Sequence, residues 1–191
     1  LLLGIKVPGT SLSAIIQLGS VLALFWYFRN DILKLSRQSS KENNYIFSDL
    51  NLLKSILIST TPIVLLGGYI KVFGPYFFDN TLRSNLSIAL VSFLMAFFMY
   101  IADNSKKGSI NIKNHKYSDS LLIGISQAFA IFPGFSRSGV TISTALISGW
   151  ERGDAAKFSF LLGIPAISIS AIVEFISSYN EFSSISFPPL I

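Results

Sequence analysis

Apolar runs long enough to cross a bilayer constrain this chain more than any other feature. A helix spanning the hydrocarbon core needs about 20 mainly apolar residues. Five runs reach or approach that length, at 11–28, 52–73, 86–102, 118–132 and 155–178, the fourth being the shortest. The first closes on Trp26 and Tyr27, as an interfacial aromatic belt would. The second and fifth carry internal breaks at Pro62 with Gly67-Gly68 and at Gly163-Ile164-Pro165. Membrane helices tolerate such breaks when neighbouring helices satisfy the freed backbone groups. Composition agrees: 13% of the residues are charged, against about a quarter in soluble domains, and mean hydropathy is +0.58. Disorder, collagen, coiled coil and a soluble disulfide scaffold are thereby excluded. The expected class is an all-α polytopic membrane protein, one integral-membrane domain over 1–191.

Between the fourth and fifth runs, 134–153 contains a moderately apolar stretch too short to span. A re-entrant helical segment is expected there. Pro8-Gly9-Thr10-Ser11 and Pro133-Gly134-Phe135-Ser136 echo each other, each ahead of an apolar helix, although the spacings differ. The echo suggests inverted repeats, a device that builds a site where two repeats meet. Basic residues set the orientation. Arg29, Lys34, Arg37, Lys41 and Lys54 lie in or beside one connection, and Lys106, Lys107, Lys113 and Lys116 in another. The stretch between them, 74–85, holds only Arg83. The positive-inside rule places the two basic connections in the cytoplasm and 74–85 outside. The net charge of +5 is thus an orientation signal, and no nucleic-acid partner is expected.

The chemistry-bearing stretch is Pro133-Gly134-Phe135-Ser136-Arg137-Ser138-Gly139-Val140-Thr141. Pro and Gly stop the preceding helix. Ser136 or Ser138 caps the next, whose first N–H groups and partial positive charge suit an anion. Arg137 adds a planar fork that matches phosphate oxygens, and Gly139 lets a ligand approach the backbone. An arginine in such a segment is costly unless it is paired or faces a wet cavity. Other polar residues are expected to be structural: Glu174 near the end of its span, His115 solvated in a basic loop, Gln17 and Gln127 as interhelical hydrogen-bond partners. Glu151, Arg152 and Asp154 are expected in a hydrated turn, with Lys71 and Lys157 reaching for the interface. With no Cys and one His, no thiolate chemistry and no His- or Cys-based metal centre is expected.

Those residues resemble a known family. Pro133–Thr141, preceded by Gln127-Ala128 and followed by Phe158-Ser159-Phe160-Leu161-Leu162 and Pro165, is similar to the second signature of the bacterial undecaprenyl-diphosphatases, the bacitracin-resistance family. Ile15-Ile16-Gln17-Leu18-Gly19-Ser20-Val21-Leu22-Ala23, ending in Phe28-Arg29, resembles the segment after that family's first signature. The resemblance implies hydrolysis of undecaprenyl diphosphate to undecaprenyl phosphate and inorganic phosphate in the cytoplasmic membrane, at a site facing outward. That recycles the lipid carrier for peptidoglycan, with consequences for cell shape and bacitracin resistance. It implies catalytic roles for Ser136, Arg137 and Thr141, with Ser138, Gly139 and Gly134 completing the substrate site. The family's first signature, with two glutamates and a histidine, has no match in residues 1–12. The chain is therefore expected to be an inactive fragment of a complete enzyme. No metal ligand is visible in it, while a divalent cation, Mg or Ca, is expected of the complete protein. The alternative is a lipid-phosphate transporter or flippase using the same anion site; a glutamate pair with a following histidine would favour hydrolysis.

Overall fold

A computed structural model describes residues 9–30, 32, 46–73 and 84–182. It contains six α-helices: α1 (Gly9–Tyr27), α2 (Ile46–Phe73), α3 (Asn85–Asp103), α4 (Tyr117–Ala128), α5 (Arg137–Ile147) and α6 (Arg152–Phe182). A single 3₁₀ turn, Phe129–Ile131, follows α4. Local chemistry sets several of these ends. The Ser84 hydroxyl accepts from Ser87 N at 3.2 Å to start α3, and the Asp119 carboxylate accepts from Lys116 N at 3.0 Å to start α4. Both satisfy amide groups that a helix start leaves open.

The packing is inside out relative to a water-soluble bundle. Ser55, Ser59, Ser120, Gln127, Thr141 and Ser159 are buried, whereas Leu22, Leu65, Phe93 and Phe97 face outward. Most of the large side chains of α3, Phe93 and Phe97 among them, are exposed on the described structure, as suits a helix long and apolar enough to cross a membrane. Small residues at the contacts let backbones approach, as membrane helices require. At the crossing of α2 and α4, a Cβ added at Gly124 would stand 2.5 Å from Ser59 Cα. There the Ser59 hydroxyl donates to the Ser120 carbonyl at 2.5 Å.

Three helices are long and apolar enough to cross a membrane among the described residues: 50–73 in α2, α3, and 152–174 in α6. Within α1, the part assessed is the shorter apolar stretch 18–27. The fourth run, expected to span over 118–132, does not form a spanning helix. Its helix has 12 residues, about 18 Å at 1.5 Å per residue, well short of the ~30 Å core. The chain turns at 129–136 and returns as the 11-residue α5. Where it returns is fixed by hydrogen bonds from Ile110 N to Gly149 O at 3.0 Å and from Glu151 N to Ile110 O at 2.8 Å. The strand of chain entering α4 thus lies beside the one leaving α5, and α4–turn–α5 is a single helical hairpin with both ends on one side. Within 134–153, where a re-entrant segment was expected, the structure has α5, the second arm of that hairpin. Pro133-Gly134 made the turn legible; the side on which the chain re-emerged depended on pairing with Ile110, which no local pattern announces.

The hairpin tip packs on α3. Gly134, with φ of +102°, abuts Ile88 O and Val91, a backbone conformation that a side chain would strain. Ser92 Oγ donates to Gly134 O at 3.3 Å. Asp103, at the other end of α3, pairs with Arg152 beside the hairpin base. Twelve residues of helix separate Val91 from Asp103, so the tip stands about 18 Å from that face. The first half of the suggested repeat begins in residues 1–8, and Lys34, Arg37, Lys41 and Arg83 also fall outside the described residues, as does the side chain of Gln17.

Candidate functional site

Arg137 opens α5 at the hairpin tip, immediately after Ser136, which serves as the N-cap: its hydroxyl accepts from Gly139 N at 3.2 Å. The cap leaves the arginine side chain directed across the hairpin rather than along it. Its Nε and Nη2 donate to Gln127 Oε1 at 3.2 and 3.0 Å. Nη2 donates in addition to the carbonyl of Leu162 in α6 at 3.0 Å. Pro165, inside α6, has no N–H to return to the Leu161 carbonyl; the carbonyl that takes the arginine is the next one, Leu162 O. Gly163 makes room, since a Cβ there would lie 3.1 Å from Nη1. Among the described residues, the guanidinium therefore meets two neutral acceptors and no carboxylate.

Arg137 lines a cavity of about 630 Å³ between α1, α2, the 3₁₀ turn and α6. Ser20, Gly67, Ile131, Ala166 and Ser170 contribute to its wall, which is largely apolar. Among the described residues that line it, Lys71 is the second charged one and none is acidic. Ile131 at the hairpin tip lies 3.7 Å from where a Cβ on Gly67 would stand. Lys71 is one helical turn, about 6 Å, further toward the end of α2. The cavity thus runs from the tip toward the ends of α2 and α3 that lie away from the basic segment 104–116. Positive charge set in an apolar hollow matches a ligand with an anionic head and a hydrocarbon tail.

Of the six residues expected in the site, Arg137 alone lines this cavity. Ser136 and Ser138 are exposed at the start of α5, Gly139 is buried there, and Gly134 forms the turn. Thr141 is buried and turned toward α6: its hydroxyl lies 2.5 Å from Ser159 Oγ and also reaches Arg137 O and Ser138 O at 3.0 and 3.2 Å. In this geometry Thr141 ties α5 to α6. Thr141→Val removes the partner of a buried Ser159 hydroxyl and should cost about 1–3 kcal/mol. Thermal unfolding in detergent checks this: Tm should fall for Thr141→Val and recover for Thr141→Ser, and an unchanged Tm for valine would refute the tie.

Sequence reasoning misplaced His115. It is half-buried rather than solvated, 2.7 Å from both the Ile112 carbonyl through Nδ1 and Ser55 Oγ through Nε2. A carbonyl only accepts, so Nδ1 carries the proton and Nε2 accepts from Ser55. The ring also packs 5.1 Å from Trp150 and 5.7 Å from Phe158. Asp154, expected in a hydrated turn, accepts from Ile112 N at 3.0 Å and so anchors the same loop. Arg152 pairs with Asp103. Glu174 is half-buried and, like Lys71 and Lys157, is engaged in interactions of its own. Gln127, expected as an interhelical hydrogen-bond partner, is one, to Ser59 and to Arg137; its place two residues before the 3₁₀ turn gave no sign that it faces the arginine.

No group of three Asp, Glu or His able to hold a metal ion occurs among the described residues. The side chains around Arg137 do not supply the oxygen set that a divalent cation needs.

Comparison with known proteins was made against this geometry. Residues 2–189 match the family model described as "Bacitracin resistance protein BacA". A protein of Prochlorococcus marinus (strain AS9601) named undecaprenyl-diphosphatase is 73% identical over 190 residues, covering 100% of this chain and 69% of that protein. One of the same name from Prochlorococcus marinus (strain MIT 9312) is 74% identical, covering 98% of this chain and 70% of its own length. A third, from Trichodesmium erythraeum (strain IMS101), is 42% identical over 91% of this chain and 57% of its own.

Proposed function

This chain belongs to the bacitracin resistance protein BacA family, and from that premise we propose that it carries the diphosphate-binding arginine of a membrane enzyme hydrolysing undecaprenyl diphosphate. The products are undecaprenyl phosphate and inorganic phosphate. The relatives' shared name supports the reaction. The observation that carries the site is the Arg137 guanidinium, held by neutral acceptors and lining an apolar cavity with Lys71.

Hydrolysis adds a water oxygen to one phosphorus and breaks its bond to the bridging oxygen, which leaves with the lipid phosphate. Negative charge shifts onto the leaving and equatorial oxygens in the transition state. Arg137 would meet that charge with preorganised donors in a site from which water is largely excluded. Lys71, toward the end of α2, supplies a second positive charge on the same wall. The exposed hydroxyls of Ser136 and Ser138 and the first turn of α5 are candidates for contacts to phosphate oxygens, while Thr141 would act by holding α5 against α6. The acid or base that moves the water's proton is not assigned to any described residue, and no step is routed through a metal. A divalent cation in the complete enzyme remains part of the proposal only as a ligand of residues other than those around Arg137.

The positive-inside rule places segment 104–116 in the cytoplasm, and the cavity runs the other way. The site therefore faces the outer side of the bacterial cytoplasmic membrane, where spent carrier lipid would be exposed. The deciding experiment follows phosphate release from undecaprenyl diphosphate by the full-length protein in detergent. Release that depends on protein concentration is the expected result. A folded protein that moves the lipid across liposomes without releasing phosphate would replace hydrolysis with transport.

A further inference from the structure

We infer that Gln127 is a positioning residue that fixes Arg137 toward the cavity while leaving its positive charge uncompensated for the lipid diphosphate. The inference rests on Arg137 as the anion ligand and adds how that ligand is kept both ordered and charged.

A guanidinium carries five N–H donors in a rigid fork. Gln127 Oε1 takes one from Nε and one from Nη2, and Leu162 O takes another from Nη2. These contacts define the plane of the fork and leave Nη1 with no hydrogen bond to protein among the described residues, beside Gly163. The amide cannot be turned round without loss. Gln127 is fully buried, and its Nε2 faces the Ser59 carbonyl at 3.5 Å. A flip would set an NH₂ group against the arginine and an oxygen against a carbonyl. The amide is thus oriented by α2 through the Ser59 carbonyl.

A carboxylate at position 127 could accept the same two hydrogen bonds, and more strongly, because charge-assisted bonds are roughly twice as strong as neutral ones. It would also neutralise the positive charge that Arg137 brings to the hairpin tip. A phosphate arriving there would then compete with a resident anion of like charge. An amide gives the geometry without the competition. The neutral carbonyl of Leu162 contributes on the same terms.

The test compares Gln127→Glu, Arg137→Ala and the double variant in the full-length enzyme, reading KM and kcat for undecaprenyl diphosphate together with Tm. For Gln127→Glu, KM should rise at least tenfold, because a resident carboxylate then competes with the phosphate; Tm, read alongside, checks that the variant is folded, since the carboxylate also gives up the Nε2 contact to the Ser59 carbonyl. The effect of the glutamate should vanish in the Arg137→Ala background, since there is then no charge to neutralise. A KM within about twofold of the parent would overturn the inference, because any role confined to packing leaves KM and Tm alike unmoved. A rise in KM from the glutamate that persists in the Arg137→Ala background would overturn it too, since the carboxylate would then act other than through the guanidinium. Full activity in Arg137→Ala would instead remove the anion-ligand role itself, a separate failure that the single variant exposes on its own.

Discussion

Arg137→Ala is expected to lower kcat/KM for undecaprenyl diphosphate at least a hundredfold, and Arg137→Lys to recover little of it. Removing one preorganised donor from a developing anion typically costs about 2.7–4 kcal/mol, or 10²–10³ in rate. Lysine keeps the charge but not the fork. Its ammonium is a compact point with three donors, whereas the guanidinium holds Gln127 Oε1 through Nε and Nη2 and Leu162 O through Nη2 while it lines the cavity. An ammonium placed for the phosphate would leave the buried Gln127 carbonyl without its donor, a loss of about 1–3 kcal/mol. One placed for Gln127 would not reach the ligand. Phosphate release in detergent measures the effect, with Tm as the check on folding. Lysine within threefold of the parent would show that charge alone suffices and that the bidentate geometry is incidental.

Gly124→Val should be strongly destabilising. A Cβ at 124 would lie 2.5 Å from both the Cα and the O of Ser59, which are backbone atoms and cannot swing aside. Relief requires α4 to move off α2. That movement would break the Ser59–Ser120 hydrogen bond at 2.5 Å and draw Gln127 away from the Ser59 carbonyl. Overpacking in a tight core costs about 1–3 kcal/mol, more when backbone must shift. For a chain of this size the upper end corresponds to a Tm lower by roughly 6–12 °C. Activity should fall together with Tm, because the displaced helix is the one that carries the arginine's tether. Thermal unfolding of the purified protein decides it: a Tm within 2 °C of the parent would mean that the two helices do not approach this closely.

Much of the site's vocabulary was legible in the chain, and much of its grammar was not. Pro133-Gly134 announced a turn, Ser136 a cap and Arg137 an anion ligand, because turn, cap and helix-start chemistry each involve residues within four positions of one another. Gln127 and Arg137 are ten apart, on opposite arms of a hairpin, and nothing in either neighbourhood specifies the other. Leu162 contributes a backbone carbonyl, so its side chain says nothing about that role; only Pro165, one turn later, hints that a carbonyl nearby is available. His115 looked solvated between Asn114 and Lys116, yet its partners are Ser55, Trp150 and Phe158, tens of residues away. Thr141 carried a hydroxyl suited to phosphate and is occupied with Ser159 instead.

The sequence by itself determined that this chain is a helical membrane protein and that it turns at Pro133-Gly134; Pro62 and Pro165, expected as breaks, lie inside α2 and α6, which run on through them. Those properties follow from hydropathy summed over about 20 residues and from backbone chemistry acting over four, both of which are written locally. Only the tertiary structure decided that 118–132 is one arm of a returning hairpin, that Arg137 is held by uncharged acceptors, and that its cavity lies between α1, α2 and α6. Each depends on which small-residue surfaces meet, Gly124 on Ser59 and Gly163 on Arg137. In lipid, apolar helix faces are nearly equivalent, so close packing and buried hydrogen bonds select the partners.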